Sequence, residues 1–129
     1  MKHISAFVSS WIVFCLLVWP VDLYANNAMP TGLVHIKTEL NYTTLIERLD
    51  AAVKKNKMGL VTRASATLGA KRVLKKNIPG NMVIGVYHPR FAVRMLEASV
   101  SAGIEAPLRF YITENANKTA NLSYKTPTS

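Results

Sequence analysis

The chain has 129 residues, room for one domain, and carries 16 Lys and Arg against 7 Asp and Glu, a formal net charge of +9. Its one cysteine, Cys15, excludes an intramolecular disulfide and a cluster of thiolate ligands. The cationic excess favours anions as partners, whether polyanions, a negative membrane surface or small acidic ligands; no basic-aromatic motif points to nucleic acid, which is not an expected partner.

Residues 1–25 place Lys2 and His3 ahead of a stretch from Ile4 to Trp19 without a formally charged residue, followed by Pro20 and a polar segment. That is the layout of a signal peptide, with a processing site after Ala25, although Leu23 stands where a small residue is preferred. The apolar stretch contains Ser5, Ser9 and Ser10 and falls short of the about 20 residues that span a bilayer. A periplasmic or secreted protein is expected, with membrane attachment only through an uncleaved leader. Phe14 before Cys15 argues against a lipoprotein site. Processing takes away Cys15, one cation (Lys2) and one acid (Asp22), so the charge stays the same while the domain must stand on its hydrophobic core alone.

"NNAMPTG" (26–32), broken by Pro30 and Gly32, reads as a linker into a domain over 33–129. "LVHIKTEL" (33–40) alternates, with Val34, Ile36, Thr38 and Leu40 on one face and His35, Lys37 and Glu39 on the other; it is a half-buried strand whose His35 points to solvent or a partner. "TLIERLDAAVKKNKMG" (44–59) predicts a helix capped by Thr44 and Glu47, with Leu45, Leu49, Ala52 and Val53 at helical spacing. Lys54, Lys55 and Lys57 suit the negative end of its dipole, and Gly59 suits a left-handed stop.

From Leu60 a strand opens, then the pattern loses its period, with a short helix expected near 68–76. Arg63, Lys71, Arg72, Lys75 and Lys76 make this segment strongly basic and the first place to look for an anion site; a solvated basic loop is the plainer reading. "NMVIGVYH" (81–88) is apolar from Met82 to Tyr87, a central strand in which Gly85 marks a close approach or a bulge. Pro89 opens a helix over 90–103 that Gly103 ends. After that corner Leu108, Phe110 and Ile112 face one way and Arg109, Tyr111 and Thr113 the other; "NANK" turns, and Ala120, Leu122 and Tyr124 return on one side of a second strand.

The stretch "VYHPRFAVRMLEASVSAGIEAPLRFYITEN", followed by "ANLSYKTP", resembles the domain of unknown function 302 family over about residues 33–127. Members have a strand ending in a Gly-Asn-Pro-like step, a helix, an Ala-Gly-hydrophobic-acid-x-Pro corner, and a closing strand ending near Tyr-x-x-Pro. Here Pro89, Ala102, Gly103, Ile104, Glu105, Pro107, Tyr124 and Pro127 hold those positions. Tyr87 and His88 replace the Gly and Asn of many members, and the sequence ends at "TPTS" where members continue into a C-terminal helix. The resemblance implies an α+β fold, a mainly antiparallel sheet with helices on one face in the order β-α-β-β-α-β-β, with the C-terminal helix missing and part of the apolar sheet face uncovered. It admits a homodimer and implies no enzyme activity.

Chemistry is thinly supported. His35 and His88 lie on separate strands without metal-ligand spacing, so no metal and no cofactor is expected. The low-ranking catalytic candidates are His88, Arg90 and Glu105, a base and its orienter at the corner. The expected function is a noncatalytic exported module binding an anionic ligand or a protein partner. The alternatives are a small enzyme centred on His88 and Glu105, or a truncated copy without a function of its own.

Overall fold

The structure, a computed structural model, describes residues 32–126; the leader expected over 1–25, the linker up to Thr31 and the last three residues lie outside it. The alternating segments form strands β1 (Leu33–Asn41), β2 (Gly59–Ala64), β3 (Asn81–Tyr87), β4 (Leu108–Glu114) and β5 (Thr119–Lys125). Between them lie helices α1 (Tyr42–Lys55), α2 (Ala66–Gly69) and α3 (Pro89–Ala98). A π turn over Ala70–Leu74 extends α2, and a 3-10 segment over Val100–Glu105 follows α3. The strands pair antiparallel in the order β1-β5-β4-β3-β2. The α+β class and antiparallel sheet expected from the sequence are those of the chain, and the expected order β-α-β-β-α-β-β holds apart from the short helix α2 between β2 and β3.

Helix α1 lays Leu45, Leu49 and Val53, one per turn, against the sheet face that carries Ile84, Val86, Ile112 and Ala120. Ile84 and Ile112 are completely buried. The register pairs Met82 with Ile112 and Ile84 with Phe110, so adjacent strands present these side chains to the same side. Each aliphatic side chain buried there contributes on the order of 1.5–3 kcal/mol. The opposite face is polar, with His35 opposite Ser123, Lys37 opposite Asn121, and Arg109, Tyr111 and Thr113 along β4.

Three local expectations give way to tertiary demands. Asn41, not Thr44, caps α1, its Oδ1 accepting from the Thr44 amide at 2.9 Å, so the Thr44–Glu47 capping box is replaced. The helix stops at Asn56, and Lys57 takes the left-handed conformation (φ 55°) in place of Gly59. That earlier turn, closed by a bond from the Met58 amide to Val53 O at 3.0 Å, brings Met58 onto the core and leaves Gly59 to open β2. Helix α3 ends at Ala98 rather than at Gly103: Ser99 is extended, and the chain folds back so that Gly103 lies against Leu96.

Gly85 has both features expected of it. The register of β2 slips between Leu60 and Thr62 directly opposite, and a Cβ at Gly85 would lie 2.2 Å from Thr62 Oγ1 and 2.9 Å from Pro107 Cγ. On this second face the central strand is therefore closed over Gly85 by one hydroxyl and one proline ring. Apolar side chains are left open in several places. On the α1 face of the sheet, Ile36 is 42% and Leu108 43% exposed. Along α3 and its 3-10 segment, Phe91, Val93, Leu96, Val100 and Ile104 all face water.

Gly85→Ala is expected to cost about 1–3 kcal/mol, as overpacking does, read from the urea midpoint by circular dichroism. Thr62→Ala in the same chain is expected to return part of the loss, with the Pro107 ring accounting for the remainder. A Gly85→Ala protein as stable as its parent would show that the backbone has slack there.

Candidate functional site

Two ends of the sheet carry candidate features. At the first, β2 begins and β3 finishes, and the last turn of α1 arrives beside them. An open groove of about 670 Å³ lies between these elements. Val53, Met58, Leu60, Val61 and Pro89 give it an apolar lining, and Lys54, Lys57 and His88 stand on its walls. The single acid in the lining is Asp50, which is ion-paired with Arg63 of β2. The second Asp50 oxygen, Oδ1, is buried without a hydrogen-bond partner. The lysines that suit the α1 dipole thus also serve as groove cations.

His88 is held by its own helix. Its Nδ1 accepts the Arg90 amide at 3.1 Å as the N-cap of α3, and its ring leans on Phe91 with centroids 5.6 Å apart. An accepting Nδ1 leaves Nε2 as the hydrogen-bearing nitrogen of the neutral ring, a donor. Tyr87 and His88 therefore form one wall of the groove, at the positions where the resemblance expects Gly and Asn.

The three catalytic candidates are not joined. Glu105 pairs with Lys125 at 3.3 Å, Arg90 offers His88 only its main-chain amide, and no hydrogen bond or ion pair among the described residues links His88 to Glu105. No cluster of three or more His, Cys, Asp or Glu side chains occurs among the described residues.

The basic set is divided. Arg63 turns to Asp50 on the α1 face, while Lys71, Arg72, Lys75 and Lys76 stay together on the segment that joins β2 to β3 at the opposite end. Lys75 closes this hook in the left-handed conformation, with Nζ donating to Arg72 O at 3.0 Å. Four hydrogen bonds zip its base. Ser65 Oγ donates to Asn81 O at 2.7 Å, the Ala66 amide to Asn81 Oδ1 at 2.9 Å, Thr67 Oγ1 to Pro79 O at 2.8 Å, and the Asn81 amide to Thr67 Oγ1 at 3.0 Å.

Gly80 and Glu114 fasten that base to β4. The Glu114 amide donates to Gly80 O at 2.7 Å, and the Gly80 amide to Glu114 Oε2 at 2.9 Å. The Tyr42 ring lies flat enough on Gly80 that a Cβ there would sit 3.0 Å from it. Burial pushes the Tyr42 phenol up, offset in part by a hydrogen bond with Ser65. The sequence reading missed Tyr42, Thr67, Asn81 and Glu114. The Ser-x-Thr and Pro-Gly-Asn turn chemistry at the two ends of the segment signals Thr67 and Asn81; nothing local in sequence signals Tyr42 and Glu114.

The sequence pattern of the domain of unknown function DUF302 matches residues 34–129. The chain belongs to the DUF302 family. Its fold is similar to the crystal structure of an uncharacterized conserved DUF302 protein from Bacillus stearothermophilus, with a TM-score of 0.68 and 19% identity over 77% of each chain. No curated protein matches. The DUF302 corner motif falls in the 3-10 segment and the start of β4, where Pro107 closes over Gly85 and Glu105 meets Lys125.

The Gly80 amide, then Lys118, hold the Glu114 carboxyl below its ordinary value of 4.5. A carboxyl with a lowered folded-state value adds stability that is complete above 4.5 and is lost as pH falls through the lowered value. Melting temperature measured downward from pH 5 is therefore expected to fall less steeply for Glu114→Gln than for the parent. Parallel curves would show that the carboxylate does not fasten the hook's base.

Proposed function

We propose that this DUF302 domain is an exported, noncatalytic binding module whose groove between α1, β2 and β3 takes a small anion with an apolar body. The observation that carries this reading is the pairing of chemistries in one place. Lys54, Lys57 and the Nε2 side of His88 border a lining of Val53, Met58, Leu60 and Val61, and the local acid is already neutralised by Arg63. Such a groove recognises a carboxylate or phosphate by charge and the rest of the ligand by burial. Its volume suits a molecule of a few to a dozen carbons rather than a folded partner. The catalytic alternative loses support because Glu105 is engaged with Lys125 and His88 Nδ1 with the α3 backbone.

Sodium octanoate is a suitable probe. In amide-resolved NMR titrations it is expected to shift residues 54–60 and 87–90 saturably, with octanol much weaker. Lys54→Glu with Lys57→Glu is expected to weaken octanoate about tenfold, the worth of two exposed charge contacts at up to about 1 kcal/mol each. Equal binding of octanol, or shifts confined to the exposed α3 face, would overturn the reading.

Export rests on the leader over residues 1–25. Intact mass of the protein recovered from cells is expected to correspond to a chain beginning at Asn26, outside the cytoplasm. A full-length mass in the cytoplasmic fraction would refute export.

A further inference from the structure

The hook at the other end of the sheet has a composition that the groove does not account for. Val73 is 74%, Leu74 63% and Leu68 58% exposed, and Ile78 also faces water. Interleaved with them are Lys71, Arg72, Lys75 and Lys76, all exposed and, among the described residues, none in an ion pair. The chain contains no acidic residue between Asp50 and Glu97, so no nearby acid in sequence offsets this charge. No residue of the hook from Ala66 to Pro79 is buried. Yet its base is held by four side-chain hydrogen bonds and the Gly80–Glu114 clip, so the exposed tip is presented from a fixed support.

We propose that the hook docks the domain on an anionic lipid bilayer, with Leu68, Val73 and Leu74 entering the headgroup–acyl boundary and the four cations meeting lipid phosphates. Charge complementarity selects this occupant. A soluble polyanion would use the cations and leave the apolar side chains in water, whereas an anionic bilayer satisfies both at the same depth. Among the described residues no helix is long and apolar enough to cross a membrane, and a short helical turn of this kind lies on the surface. Peripheral docking departs from the sequence expectation that membrane contact comes only through an uncleaved leader.

The test is flotation of the protein, with whichever N-terminus it carries, on vesicles of phosphatidylcholine with and without phosphatidylglycerol. Comparison with its own variants makes any leader contribution common to all samples. Binding is expected to require phosphatidylglycerol and to weaken with salt. Replacing Lys71, Arg72, Lys75 and Lys76 with Gln is expected to lower partitioning at least about a hundredfold, and Val73→Ser with Leu74→Ser about tenfold. In a Cys15→Ser background, Leu74→Cys carrying an environment-sensitive dye is expected to shift to the blue on the same vesicles.

Equal partitioning of parent and hook variants would overturn the proposal. So would an unshifted dye combined with polyphosphate binding that the Gln variant loses, which would make the hook a site for a soluble polyanion. Binding to neither vesicles nor polyphosphate would overturn it too, and would leave a protein as the partner for this surface. The Lys54→Glu, Lys57→Glu protein keeps its hook and is expected to float at close to the parent level, so failure of the groove reading and failure of this one are read separately.

Discussion

The structure depends on one contact: the stripe of Leu45, Leu49 and Val53 on α1 pressed onto Ile84, Val86, Ile112 and Ala120 of the sheet. No cysteine lies between residues 32 and 126 to staple the fold, and the ion pairs of the described residues sit at its surface. Stability of the order of a few to 15 kcal/mol must therefore come from apolar burial against chain entropy. Because α1 runs from the end of β1 to the start of β2, this contact also fixes both ends of the sheet. It sets the last turn of α1 beside Tyr87 and His88 to make the groove, and it sets Tyr42 over Gly80 to brace the hook.

Packing and polarity divide the molecule unevenly. One sheet face is covered by α1 at its centre but leaves Ile36 and Leu108 exposed; the other is mostly polar, with Pro107 over Gly85. Polar bonds are concentrated at the turns. The Ser65–Thr67 and Pro79–Asn81 segments satisfy backbone groups through side chains, and in the Asn115–Asn121 hairpin the Thr119 amide donates to Asn117 Oδ1 while the Asn115 side chain bonds those of Thr119 and Asn121. The parts that reach outward, the α3 lobe and the basic hook, are the parts whose apolar side chains gain least from folding.

The likeness to the Bacillus stearothermophilus DUF302 protein at 19% identity has a physical counterpart in this division. A core of one helix stripe and three central strands tolerates exchange among aliphatic residues of similar volume. The corner from Gly103 to Pro107 is less forgiving, because a glycine lies against Leu96 and a proline ring against a second glycine.

The amino-acid order determined the period-two runs of β1, β4 and β5, the 3.6-residue stripe of α1 and the apolar β3, and with them the class and the order of elements. These are local patterns, and period alone reveals which residues share a face. It also showed that Gly85 marks a close approach. The tertiary structure decided where helices stop, because Met58 packs on a core built from residues distant in sequence and Gly103 folds back onto Leu96. It also decided which charges meet. Arg63 left the basic cluster for Asp50, Glu105 chose Lys125 over His88, and Lys54 and Lys57 joined His88 across a groove. Strand pairing and the path of α1 bring those side chains together over 13 to 34 positions of sequence, a separation at which no repeat in the chain carries information.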